Sequence, residues 1–111
     1  MSVEKISSSK DQIKAIIQRA AQKNQQDFNY MLAQARIESG LNPAAKAKTS
    51  SATGLYQFTS GTWMDLVKRH GDKLGLGDAA LSLRNGSITA AEKSALLAKR
   101  HDPALSSELA A

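Results

Sequence analysis

The 111-residue chain is long enough for one domain at most, and its 41% apolar and 23% charged residues are ordinary for a soluble globular protein. No stretch approaches the ~20 apolar residues of a membrane span, and the absence of cysteine excludes disulfides and thiolate metal sites. The net charge of +5 either solubilises the surface or favours acidic partners such as nucleic acid, anionic lipid or cell-wall carboxylates, but the 15 basic residues form no run of five, which argues against nucleic acid.

The N-terminal "MSVEKISSSK" lacks the apolar region of a signal peptide. This is expected either of a cytoplasmic protein or of a mature domain with a start Met added. The first helix is expected to begin after Ser8 or Ser9, with Ser9 and Gln12 as a capping box. Ile13, Ile16, Ile17, Ala20 and Ala21 then fall on one helical face. After a polar break, Asp27 is placed to cap a second helix that Gly40 closes. "LNPAAKAKTSSATGLYQF" has no helical stripe and only hints of strand at Leu55–Phe58, so it is expected to be a long ordered loop. Such loops in compact domains are often functional. Thr59 or Ser60 should cap a third helix with Trp63, Leu66 and Val67 inside, ended by Gly71. A linker with one helical turn near Asp78–Leu83 follows, and its glycines do not make a phosphate loop. Thr89 with Glu92 forms a second capping box, opening a helix to about Arg100, and Asp102-Pro103 begins the last helix. The fold class is mainly α, and no residue cluster suggests a metal or an organic cofactor.

One position stands out. The apolar positions Phe28, Met31 and Ala35 lead on to Glu38, at the end of the second helix. If that face points inward, burial and the negative end of the helix dipole both favour a protonated carboxyl, which can donate a proton to a leaving group. The alternative is a slightly rotated helix with Glu38 solvated at the rim, or paired with Arg36 or a lysine of the following loop.

The stretch "ARIESGLNPAA" followed by "SSATGLYQFTSGTW" resembles the lytic transglycosylases of the soluble-lytic type, whose domain has the goose-type lysozyme fold. The matching pieces are Glu38-Ser39, Asn42-Pro43 and Gly54-Leu55-Tyr56-Gln57, in the family's order and spacing. The resemblance implies a lysozyme-like helical domain with a long ordered active-site loop. It implies cleavage of the β-1,4 bond between N-acetylmuramic acid and N-acetylglucosamine in peptidoglycan strands. Glu38 would be acid and then base, giving a 1,6-anhydro product. Such chemistry needs one protein carboxyl, whereas ordinary glycosidases need two. The nearest other acids are Asp27, a cap, and Asp65, on the outer side of the third helix. Ser39 would orient glycan or acid, unless it bonds the helix's last carbonyls. Gln57 would bind an acetamido or hydroxyl group, unless it satisfies loop backbone. Gly54 would allow positive φ or close chain approach, and Tyr56 would line the groove. Phe58 and Trp63 are expected in the core, and His70 and His101 at the surface.

Two departures from the family pattern stand out. Ser60 occupies the place of the usual proline. The later motif with an Asn-Tyr or Glu-Tyr pair has no counterpart, because the only tyrosines are Tyr30 and Tyr56. "HDPALSSELAA" looks like the start of that region, so residues 1–111 are expected to be a single, C-terminally incomplete domain. The expected setting is the periplasm or cell envelope, with an envelope-spanning assembly as a candidate partner and no membrane insertion. A hydrolytic muramidase and a non-catalytic peptidoglycan-binding or assembly module of the same fold are the alternatives.

Overall fold

The computed structural model describes the backbone from Ser2 to Ala111 and the side chains from Ser9 onward. Six α-helices follow in order: α1 (Ser2–Lys23), α2 (Phe28–Ser39), α3 (Ser60–His70), α4 (Gly77–Asn85), α5 (Ala90–Ala98) and α6 (Pro103–Ala110). Short 3₁₀ turns, Gly71–Leu74 and Lys99–His101, extend α3 and α5. No helix among the described residues is long and apolar enough to cross a membrane.

The caps explain most boundaries. Asp27 accepts from the Asn29 amide at 2.9 Å and starts α2, and Thr59 accepts from the Thr62 amide at 3.3 Å and starts α3. Thr89 and Glu92 form the reciprocal box of α5 at 3.1 and 2.9 Å. Asp102 caps α6, with Pro103 in the first turn where its missing N–H costs nothing. Three expectations are corrected. α1 begins at Ser2, so Ser9 lies inside the helix and caps nothing. The linker turn is the full helix α4, carried by Ala80, which is wholly buried. Gly71 keeps right-handed geometry and leads into the 3₁₀ turn, and the left-handed stop comes at Gly75.

Two apolar clusters make the interior. Ile13, Ile17, Ala20 and Ala21 of α1 meet Met31, Leu32 and Ala35 of α2, and Leu41, Leu55 and Tyr56 close that cluster. Trp63 and Val67 of α3 pack with Leu96 of α5 and Leu109 of α6. Phe58 touches both clusters, its ring 6.3 Å from Tyr56 and 5.5 Å from Trp63. α6 is the second join, since it packs on α1 as well as α3.

Trp63 has no exposed surface, and its indole N–H donates to the Leu96 carbonyl at 2.9 Å, locking α3 to α5. Trp63→Phe removes the indole bond, leaving the Leu96 carbonyl only the Lys99 amide, and opens a void. We expect a loss of about 2–4 kcal/mol in a urea unfolding titration followed by far-UV circular dichroism.

Candidate active site

The end of α2 is built by backbone geometry. Gly40 adopts φ 64°, its amide donates to the Arg36 carbonyl at 2.9 Å, and the Leu41 amide donates to the Ala35 carbonyl at 3.3 Å. This pair of bonds turns the chain sharply and drives Leu41 into the core. Glu38 sits in the last turn before that stop. Its side chain is exposed, which corrects the inward placement expected from the stripe. Met31, Leu32 and Ala35 define the buried arc of α2. At about 100° per residue, Glu38 falls roughly 65° from the centre of that arc, at its rim. No ion pair among the described residues involves Glu38, so pairing with Arg36 or a loop lysine is not what holds it.

Ser39, next in the chain, joins the helix end to the long segment. Its hydroxyl lies 2.6 Å from the Leu55 carbonyl and 3.0 Å from the Ala35 carbonyl, and it accepts from the Asn42 amide at 3.2 Å. One hydroxyl proton serves both carbonyls, with the shorter contact to Leu55. Asn42 accepts from the Ala44 amide at 2.9 Å, a local turn that Pro43 stiffens. Beside this corner runs a cleft of about 470 Å³, formed by Ser9 and Lys10 of α1 and the Ser39–Pro43 turn.

The segment between α2 and α3 has only two isolated antiparallel bridges, Lys46 with Thr53 and Thr53 with Phe58. Leu55–Gln57 is a turn and not the hinted strand. Gln57 has φ 54°, and its side-chain amide donates to the Ala45 and Gly54 carbonyls, both at 2.9 Å. Both of its donors therefore serve the loop, leaving the amide oxygen for any other molecule. Gly54 has φ 91°, and a side chain there would overlap the Arg100 carbonyl oxygen, so both the backbone angle and the close approach require glycine. Arg100 clasps the same segment. Its Nη1 donates to the Ser51 and Phe58 carbonyls at 2.6 and 3.0 Å, and its Nε donates to Leu97 at 3.0 Å. Burial lowers the pKa of its guanidinium. Nothing in the sequence marked Arg100 for this role, because its acceptors lie more than forty positions away.

The placement of Tyr56 is also corrected. Its ring is buried in the first cluster and not set out as the wall of a groove. Thr53 to Tyr56 are all buried, unlike a half-buried strand, whose alternate residues face solvent. Burial pushes the Tyr56 phenol up, and the neighbouring Ser107 hydroxyl draws it partly back. Neither buried hydroxyl completes a hydrogen bond among the described residues. Phe58 is half-buried and Trp63 fully buried, as core residues, while His70 and His101 are exposed.

Within the matched motif, Glu38 is the one carboxylate, and no ion pair among the described residues holds it. Asp27 is spent as a cap, and Asp65 is held by Arg69 at 2.8 Å. No group of His, Cys, Asp or Glu among the described residues could hold a metal ion.

The family model described as "Transglycosylase SLT domain" matches residues 15–102, which include all of α2, the long segment and Arg100. No solved structure matches the chain.

Two substitutions test this geometry. Ser39→Ala removes the tie to Leu55, and we expect a loss of about 1–2 kcal/mol with faster amide exchange across 53–58 than in the helices. Tyr56→Phe deletes a buried hydroxyl that neighbours Ser107 but completes no hydrogen bond among the described residues, so stability at neutral pH should change by less than about 1 kcal/mol. The raised phenol adds a pH signature. An upward-shifted group supports the fold below its unfolded pKa, near 10.0, and that support is lost as pH rises toward the folded value. Alkaline unfolding of Tyr56→Phe should therefore begin at higher pH than that of the wild type.

Proposed function

The chain belongs to the transglycosylase SLT domain family, a family of lytic transglycosylases acting on peptidoglycan, and from that footing we propose that it cleaves the MurNAc-β-1,4-GlcNAc bond with Glu38 as its acid and base. In this reading the Glu38 carboxyl protonates the glycosidic oxygen, and the bond from that oxygen to the muramic anomeric carbon breaks. The carboxylate then takes the proton of the same sugar's 6-hydroxyl. O6 closes on the anomeric carbon, giving a 1,6-anhydro end and regenerating the acid without water. The substrate supplies the nucleophile, so one protein carboxyl suffices, where a two-carboxylate hydrolase needs a partner.

The observation that carries the reading is the bond between Ser39 Oγ and the Leu55 carbonyl at 2.6 Å. It ties the turn bearing Glu38 to the Gly54–Gln57 segment, both within the family match. The open cleft along Ser39–Pro43 gives a strand somewhere to lie. Ser39 and Gln57 act as positioning residues that hold this corner, and Gly54 permits its turn. The natural setting under this proposal is the periplasm or cell envelope, where the substrate is.

A second reading has its own support. Glu38 is exposed, the donors of Gln57 are committed to loop backbone, and Tyr56 is buried. A site with so few free groups also fits a peptidoglycan-binding module that does not cleave.

Digestion of purified sacculi, with mass spectrometry of the soluble products, separates the readings. Wild type should release anhydro ends, and Glu38→Gln should be slower by about 10²–10⁴-fold while still sedimenting with sacculi. Reducing ends in place of anhydro ends would identify a hydrolytic muramidase. Binding by both proteins with clearance by neither would leave the binding module.

A further inference from the structure

The long segment has another edge, where it meets α5 and the 3₁₀ turn after it. A cleft of about 320 Å³ opens there, walled by Lys46, Ser50, Ser51, Ser94, Arg100 and His101 among others. No acidic side chain lines it, and none of its three basic residues joins an ion pair among the described residues. Arg100 is oriented by three backbone carbonyls, which fix the guanidinium without cancelling its charge. Its Nη2 has no protein partner among the described residues.

His101 is fixed too. The single hydroxyl proton of Thr53 goes to the Ala45 carbonyl at 2.8 Å, so the contact of 3.1 Å between Thr53 Oγ1 and His101 Nε2 requires the imidazole to donate. That contact ties the ring to the cleft wall. The result is a concave set of cationic and hydroxyl donors on a braced framework, with no carboxylate to neutralise it. Such a set suits an anion that can accept several hydrogen bonds at once.

We propose that this cleft binds a carboxylate of the peptide stems carried by peptidoglycan strands, an inference that rests on peptidoglycan being the substrate. The stems are the acidic part of that polymer, and they branch from its muramic acid residues. It is the absence of any acidic side chain in its lining, together with Lys46 and Arg100, that suits this cleft to a carboxylate. Thr53 forms part of the cleft wall, and the Ala45 carbonyl to which it donates also receives the Gln57 side chain. A stem held here therefore bears on the same braced segment as Glu38's corner.

Lys46→Glu is the informative variant, because the Lys46 side chain is exposed and makes no ion pair among the described residues. Arg100 is unsuitable, since it holds the loop. Binding is measured to glycan strands with intact stems, to strands stripped of stems by an amidase, and to free stem peptide. Wild type should hold stem-bearing strands about three- to tenfold more tightly than stripped ones, and Lys46→Glu should erase that difference without weakening binding to stripped strands. Free stem peptide should compete, and inorganic phosphate at equal concentration should not. Equal affinity for both strands, equal weakening of both by Lys46→Glu, or competition by phosphate alone overturns the proposal. The products released by wild type and Glu38→Gln report on cleavage separately. A chain that cleaves but ignores stems loses this cleft and keeps its activity. One that holds stem peptide yet cleaves nothing keeps the cleft and loses the enzyme.

Discussion

A buried or half-buried backbone must find partners for its N–H and C=O groups, and the segment between α2 and α3 has almost no ladder to supply them. Side chains take over. Gln57 and Thr53 converge with the Gly54 amide on the single carbonyl of Ala45. Ser39 reaches the Leu55 carbonyl, and Arg100 reaches those of Ser51 and Phe58. One side of the segment is thus fastened to α2 and another to the turn after α5. The fold around it can be built from short, well-capped helices because this segment is made rigid by other means.

That bracing changes how the residues of the family-like motif are understood. Ser39, Gln57 and Gly54 each have an evident structural duty in the free protein, and Tyr56 belongs to the core. Glu38 alone is left without a structural partner among the described residues, and it is exposed. A residue that contributes nothing visible to the fold, at the rim of a corner that several side chains hold in place, is well suited to reactive work. The same logic applies to the basic cleft, where neutral carbonyls orient Arg100 and leave its charge unspent.

Phe58 and α6 make one interior out of two clusters. The half-buried ring of Phe58 packs between Tyr56 and Trp63, while Leu109 enters the second cluster and Ala110 packs on the first. Changes in α6 should therefore be felt on both sides of the molecule, including the cluster that supports the end of α2.

Local chemistry in the sequence determined the starts of α2, α3, α5 and α6, but not the start of α1 or the full length of α4. Asp27, Thr59, Thr89 and Asp102 cap as their side chains dictate, and Gly40 stops α2, because capping depends only on neighbours within a turn. The motif from Glu38 to Gln57 was legible for the same reason, being contiguous and fixed in spacing. Tertiary structure alone decided which way its side chains point. Near a helix end a small rotation moves a residue from core to rim, as happened to Glu38. Alternation fails in an irregular turn, so Tyr56 went inward. The grip of Arg100 on Ser51 and Phe58 spans positions that only the folded chain brings together, and no local pattern encodes it.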